Sequence, residues 1–225
     1  MKTYKNTIKG ASILFNPGKN TVFNYRLTKN INEEKCDEIN KKRIFSEKVA
    51  AIKEAGAELV FSGIRPSKRN SNRFTNNLVL MDCCMPELVG IMLLYQYEYN
   101  LRYVSEITAK LEENNPLGLD LSDNHNYYKA KIKRLLLDCA LGMTAGKVWD
   151  GNYEANGGYL IVGETGDIIC YHLYEKKFFE DYLFHNTRLE TPDPKRYEFG
   201  SIETSEDGKQ YFSLNLQIRF AHPQE

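Results

Sequence analysis

The chain has 225 residues, of which 42% are hydrophobic and 12% aromatic, and this content excludes an intrinsically disordered protein. Thirty basic residues balance thirty acidic ones, so the chain lacks the basic excess of many nucleic-acid-binding proteins, which does not exclude a local basic cleft. No window approaches 18 consecutive apolar residues, so we expect no membrane span.

The cysteine pattern indicates a reducing compartment. Five cysteines occur, an odd number, and none forms a Cys-x-x-Cys pair, so a structural zinc site is not expected. Free thiols are typical of cytoplasmic proteins, and we therefore expect a cytoplasmic location.

The first third of the chain predicts strands around one helix. Residues 12–15 and 21–27 are predicted strands with a turn between them. Residues 29–43 are highly charged and are predicted as a surface loop or a turn of helix. Residues 44–55 predict a helix, and residues 59–61 predict a short strand.

The middle third predicts helices. A basic polar loop is expected at residues 65–73. Apolar residues at helical spacing then predict helices over 86–99, 103–114 and 127–142, of which the last has the strongest apolar stripe.

The last third returns to strands. Residues 158–162 and 168–174 predict a hairpin, residues 176–186 a short helix, and residues 198–203 and 210–220 two further strands. Strands, then helices, then strands indicate a mixed α/β class, and the length suits a single domain over residues 1–225.

Several motifs of the last third carry a specific resemblance. They are Trp149-Asp150-Gly151, the Gly157-to-Val162 strand, Cys170-Tyr171-His172, the run from Asp181 to Thr187, and the strand Leu214 to Phe220. This series resembles the C-terminal part of the HpaII family of type II restriction endonucleases. Further matches in the same order extend the resemblance over roughly Ile8 to Phe220 and include Pro86-Glu87-Leu88 and Lys131-Ile132-Lys133.

The resemblance implies a fold and an activity. The fold would be a restriction-endonuclease-like PD-(D/E)xK core, α/β, with a central mixed sheet flanked by helices. The activity would be Mg²⁺-dependent hydrolysis of double-stranded DNA at a short palindrome of the CCGG type, by a homodimer that matches the two-fold symmetry of the site. Larger family members carry an N-terminal region that we expect to be absent from this chain.

The resemblance assigns one catalytic residue. Lys9, in Thr7-Ile8-Lys9, matches the lysine of the family's nuclease motif, where it would orient the attacking water and offset phosphate charge. A surface lysine beside a turn glycine is the alternative interpretation of Lys9.

The metal ligands are not assigned by the resemblance. Residues 1–8 contain no Asp or Glu, although the family's metal-binding acids are expected on that strand or upstream. Acids elsewhere in the chain that could replace them are Asp82, Glu87, Asp150, Glu154 and Asp167. Asp150 is the weak candidate we retain as a metal ligand, and a turn-capping aspartate is its alternative interpretation.

The DNA-binding candidates are basic or polar residues in loops and family-like positions. They are Lys19, Asn20, Arg65, Lys68, Arg69 and Arg196, with Lys195, Arg188 and Arg219 as further possible contacts. Arginine reads guanine edges in the major groove, and Arg196 is our first choice for that role. The basic loop 65–73 is equally well explained as a solvated loop.

Two functions therefore stay open. The chain is expected to be a restriction endonuclease, or a non-catalytic fragment or split subunit that binds DNA or a partner N-terminal chain without cutting. The absence of acids from residues 1–8 favours the second.

Overall fold

The computed structural model describes residues 13–18, 21–65, 72–123, 125–153, 158–162, 166, 168–172, 176–197 and 199–221. The helices are α1 (Glu33–Lys41), α2 (Phe45–Glu54), α3 (Arg73–Met81), α4 (Met85–Glu98), α5 (Val104–Asn114), α6 (Tyr127–Leu141), α7 (Lys176–His185) and α8 (Pro194–Tyr197). The strands are β1 (Ile13–Phe15), β2 (Val22–Leu27), β3 (Leu59–Arg65), β4 (Gly158–Val162), β5 (Ile168–His172), β6 (Thr187–Leu189), β7 (Ile202–Thr204), β8 (Gln210–Leu214) and β9 (Ile218–Phe220).

The described strands form three sheets. A four-stranded sheet has the order β3-β2-β8-β7, a three-stranded sheet has the order β1-β9-β6, and β4 and β5 form a separate hairpin. The predicted α/β class is confirmed. Where a central mixed sheet was expected, every pair among the described strands is antiparallel.

Two of the places where the chain crosses between the two larger sheets are neighbours. It leaves β1 and enters β2 through the turn that starts at Asn16, and it leaves β8 and enters β9 through residues 215–217. The fully buried Asn215 joins the crossings, because its Nδ2 donates to the carbonyl oxygens of Gly18 at 3.2 Å and Thr21 at 2.8 Å. One amide thus ties the two crossings to each other.

Helix α4 forms the centre of the core. It begins with Pro86 in its first turn and is apolar on nearly every side, as expected for a buried helix. The four-stranded sheet packs on it at Gly90, whose carbonyl oxygen accepts a hydrogen bond from the buried Tyr25 hydroxyl at 2.7 Å. A Cβ atom at Gly90 would lie only 2.4 Å from the ring of Phe61, so the close approach of sheet and helix requires glycine.

Helix α6 is tied to its neighbours by two lysines. Lys131 pairs with Asp82 at the corner between α3 and α4, and Lys133 pairs with Asp181 of α7. The family-like Lys131-Ile132-Lys133 segment therefore connects helices in this fold.

The structure corrects several element boundaries. The charged segment 29–43 contains a nine-residue helix, α1, which Asn32 caps. This helix buries only Cys36 and Ile39, so its apolar side is too small to stand out in the sequence. The strand predicted at 59–61 continues to Arg65, and the strand predicted at 210–220 is two strands in different sheets. Helices α3 and α8 and strand β6 were not predicted.

No single helix among the described residues is long and apolar enough to cross a membrane. Helices α3 and α4 pass that test of length and composition only as a pair, which is bent by 102°.

Gly90→Ala is expected to destabilise the fold. Alanine favours a helix by about 1 kcal/mol over glycine, but overpacking a core costs about 1–3 kcal/mol, and the contact with Phe61 puts this site among the tight ones. We expect a net loss of about 1–2 kcal/mol in urea unfolding. In a Phe61→Ala background the loss should shrink or reverse, and an equal loss in both backgrounds would contradict the role of the ring.

Candidate nucleic-acid interface

Arg65 lies at the end of β3 beside the start of β2. Its backbone position pairs with Val22, which lies two residues after Asn20 in the sequence. Lys19, Asn20, Lys68 and Arg69 lie outside the described residues, so their predicted DNA contacts stay predictions.

The side chain of Arg65 pairs with a residue of the opposite edge strand of the four-stranded sheet. Its Nη1 lies 3.5 Å from Oε2 of Glu203 on β7, although β3 and β7 are opposite edges of the sheet, about 14 Å apart at the usual strand spacing. Both side chains are about half exposed, and such pairs contribute about 0–1 kcal/mol. Arg65 can therefore be withdrawn from Glu203 by a phosphate at little cost.

Arg196 lies on the single-turn helix α8 and is exposed. Asp193 supports this turn, because its Oδ1 accepts the Lys195 backbone N–H at 3.0 Å. The neighbouring Tyr197 hydroxyl accepts a hydrogen bond of 3.3 Å from Nδ2 of Asn16. Arg65 and Tyr197, the neighbour of Arg196, thus contact Val22 and Asn16, which lie close together in the sequence.

A cleft of about 400 Å³ adjoins α8 and contains two arginines that sequence reasoning missed. Arg43 precedes α2, Arg102 follows α4, and both line the cleft together with Pro194. Neither arginine has a carboxylate partner within the described ranges, and α2 begins without a side-chain cap. Glu190 and Asp193 line the same cleft, so the two arginines are phosphate-binding candidates within a lining of mixed charge.

Two other predicted contacts are engaged within the protein. Nη2 of Arg188 lies 2.6 Å from Oε1 of Glu190, and Nε of Arg219 donates to Oε1 of Gln217 at 3.1 Å. A contact of either arginine with DNA would have to compete with these partners.

Asp150 is exposed in a turn that α3 positions. Asn77 of α3 accepts the backbone N–H of Trp149 through Oδ1 at 3.1 Å, which fixes the start of the turn. Both Asp150 carboxylate oxygens then accept hydrogen bonds of 3.0 Å from Asn152, one from its backbone and one from its side chain. These bonds lower the pKa of Asp150. Its role as a metal ligand stays a prediction.

The group of three metal-ligating side chains found among the described residues is not an all-oxygen group. Within the described ranges, the group of three metal-ligating side chains whose ligand atoms lie within 4.8 Å of one another is Asp82, Cys83 and Cys84. Mg²⁺ requires oxygen ligands, and two thiols do not suit it. Lys9, Glu154 and Asp167 lie outside the described residues.

Asp138 of α6 is a buried acid that sequence reasoning missed. It is 1% exposed and faces the turn 149–153 and α7. Burial raises the pKa of Asp138 to about 6, although the charge of Arg134 and a hydrogen bond with Tyr153 oppose the shift. Its position on the buried side of a helix is the signal that could have found it.

Comparison with known proteins gives one family over nearly the whole chain. The model of the family described as HpaII restriction endonuclease matches residues 3–220. The curated protein named type II restriction enzyme HpaII, from Haemophilus parainfluenzae, is 39% identical over 217 residues, which are 96% of this chain and 58% of the relative. The chain thus spans little more than half the length of that relative. No solved structure matches.

Asp138→Asn is expected to stabilise the protein at neutral pH. A folded-state pKa of about 6, above the ordinary value of 3.8, means that protonation stabilises the fold fully below about pH 4 and that this contribution is lost as the pH rises through 6. The asparagine has no charge to bury, so its advantage should grow between pH 4 and 6 and reach about 1–3 kcal/mol at pH 7. Urea unfolding at several pH values measures it.

Asp150→Asn provides the matched control. The pKa of Asp150 is lowered, so its contribution is present above the ordinary value and is lost only as the pH falls through the lowered one. This variant should show no added stability that grows between pH 4 and 6. A gain of that kind in both variants, or in neither, would contradict the assignment to Asp138.

Proposed function

Because the chain belongs to the HpaII restriction endonuclease family, we propose that it acts in the site-specific cleavage of double-stranded DNA, as a type II restriction endonuclease does. The observation that supports this most is the 39% identity to a type II restriction enzyme over 96% of this chain. The proposed target is a short palindrome of the CCGG type. Since the chain spans 58% of the relative, the activity of the whole relative is carried over as a proposal.

The described surface suits a role in holding DNA. Arg196 is exposed beside the segment 16–22 and is the proposed guanine-reading residue. Arg65 and the arginines of the cleft, Arg43 and Arg102, are proposed to contact phosphates. Lys19, Asn20, Lys68 and Arg69 are proposed to extend this surface.

The chemistry of cleavage is assigned to Lys9. Its ammonium group would offset charge on the scissile phosphate and orient the attacking water. The class of enzyme suggests a divalent metal ion, and Mg²⁺ is the proposed one, which would polarise the phosphate. Asp150 stays the weak candidate for a ligand, and no further step is assigned to the metal.

An alternative is that this chain binds DNA, or a partner N-terminal chain, without cutting. Residues 1–8 contain no Asp or Glu, which keeps this alternative beside the first proposal. In either case we propose a single domain over residues 1–225, a cytoplasmic location, and a homodimer or a complex with the partner chain.

Arg196→Ala and Arg65→Ala are expected to affect DNA binding differently. Loss of a guanine contact costs about 1–3 kcal/mol, so Arg196→Ala should weaken binding to a CCGG duplex about 5- to 150-fold and leave a scrambled duplex unaffected. Loss of a phosphate contact should weaken both duplexes alike and reduce the slope of log K against log salt by about 1. Fluorescence anisotropy at several salt concentrations measures both.

Lys35→Ala is the control for this experiment. Lys35 is an exposed lysine of α1 that pairs with Glu38 and is not among the proposed contacts, so its loss should leave both affinities unchanged. Equal weakening of the two duplexes by Arg196→Ala would exclude a base-reading role. No binding of the parent chain to either duplex at low salt would reject both forms of the proposal.

A plasmid-cleavage assay distinguishes the endonuclease from the alternative, a chain that binds DNA without cutting. With Mg²⁺, an endonuclease should cut a plasmid that contains CCGG sites, and Lys9→Ala should abolish cutting while duplex affinity is retained. If the parent chain binds the duplex in a salt-dependent manner and does not cut, the non-catalytic form is correct. Cutting that persists in Lys9→Ala would remove Lys9 from the active site.

A further inference from the structure

The corner between α3 and α4 gathers three metal-ligating side chains. Helix α3 ends at Met81, α4 begins at Met85, and the chain turns by 102° between them. In the turn, the carboxylate of Asp82 and the thiols of Cys83 and Cys84 place one ligand atom each within 4.8 Å of one another. Cys83 is exposed and Cys84 is partly exposed, so an ion could enter from solvent.

The spacing of the sulfurs is that of a metal thiolate site. The two Sγ atoms are 3.8 Å apart. Two thiolates bound to one zinc ion at about 2.3 Å in tetrahedral geometry also have their sulfurs about 3.8 Å apart. We propose that Asp82, Cys83 and Cys84 bind one thiophilic divalent cation of the zinc type, with water as the fourth ligand.

The surroundings of Asp82 fit this role. One carboxylate oxygen accepts the backbone N–H of Cys84 at 2.9 Å, and the other is bound by Lys131 of α6. Such outer contacts orient a ligating carboxylate. They leave each oxygen a lone pair for the metal ion.

The charges of the proposed site are balanced once the ion is bound. Two thiolates and one carboxylate carry three negative charges, which the dication and the ammonium group of Lys131 neutralise together. Binding converts two S–H bonds into two S–metal bonds and releases two protons to solvent, so the affinity should rise with pH. This ion differs from the proposed Mg²⁺, which prefers oxygen ligands.

The sequence prediction of no zinc site depended on the absence of a Cys-x-x-Cys pair. Here the ligands are consecutive, and the turn between two helices brings them to one point. A bound ion would connect the α3–α4 corner to α6 through Asp82 and Lys131. It should therefore stabilise the corner rather than take part in cleavage.

Co²⁺ is the spectroscopic probe for this site. The full, reduced chain without oxygen should bind one Co²⁺, with the d–d bands of a tetrahedral ion and the charge-transfer absorption of two thiolates, and Zn²⁺ should displace it. Cys83→Ser, Cys84→Ser and Asp82→Asn should each weaken Zn²⁺ binding at least about 10-fold in competition with a chromophoric chelator. At equal concentration, Zn²⁺ should raise the Tm of the parent chain more than that of the two cysteine variants.

Cys170→Ser is the matched control, because Cys170 is an exposed cysteine outside the group. Its Zn²⁺ affinity should equal that of the parent. Urea unfolding without metal checks that every variant is folded.

Failure of the reduced parent chain to bind Co²⁺ or Zn²⁺ overturns the proposal, as does a thiolate band that survives in Cys83→Ser and Cys84→Ser. A disulfide between Cys83 and Cys84 in the chain isolated without oxygen and before any reductant is added, seen as a loss of two hydrogens in its mass, also overturns it. DNA binding measured without Zn²⁺ is independent of all these results, so the proposed function stands or falls separately.

Discussion

The side-chain amide of Asn215 is the constraint on which the arrangement of the sheets depends. It is fully buried and donates to two carbonyl oxygens, those of Gly18 and Thr21, at the place where both sheet crossings meet. A buried carbonyl oxygen that loses its donor costs about 1–3 kcal/mol. An apolar residue in place of Asn215 would therefore remove the hydrogen bonds that join the two crossings. The same amide holds the segment between Asn16 and Val22, which Arg65 and Tyr197, the neighbour of Arg196, contact.

The chain has no net charge, but its basic residues fall into two groups with different surroundings. Lys131 and Lys133 connect α6 to neighbouring elements through carboxylates, and their charge is used within the fold. Arg43, Arg102 and Arg196 have no carboxylate partner within the described ranges and gather around α8 and its cleft. A local surface of this kind can attract a polyanion although the whole chain is neutral.

Sequence reasoning found the elements with a regular pattern of apolar residues and missed features in which polar residues are buried. Helix α6 and the β4–β5 hairpin were found because their patterns are regular. The break between β8 and β9 was missed because polar and apolar residues alternate through the crossing as they do in a strand. Asn215 and Gln217 are the polar residues of this pattern, and both are buried. The resemblance pointed to Arg196, but Arg43 and Arg102 meet only in the folded chain, 59 positions apart in sequence.

Because Arg65 pairs with Glu203, an anion that binds Arg65 must displace the carboxylate of Glu203. An incoming phosphate must replace a carboxylate that is already tethered 3.5 Å from the guanidinium group, and the released carboxylate then repels it. A single phosphate gains little from this exchange, whereas a duplex can offset the repulsion through contacts with other cations. An exposed pair contributes only about 0–1 kcal/mol, so the resulting preference for polymeric over monomeric phosphates would be small.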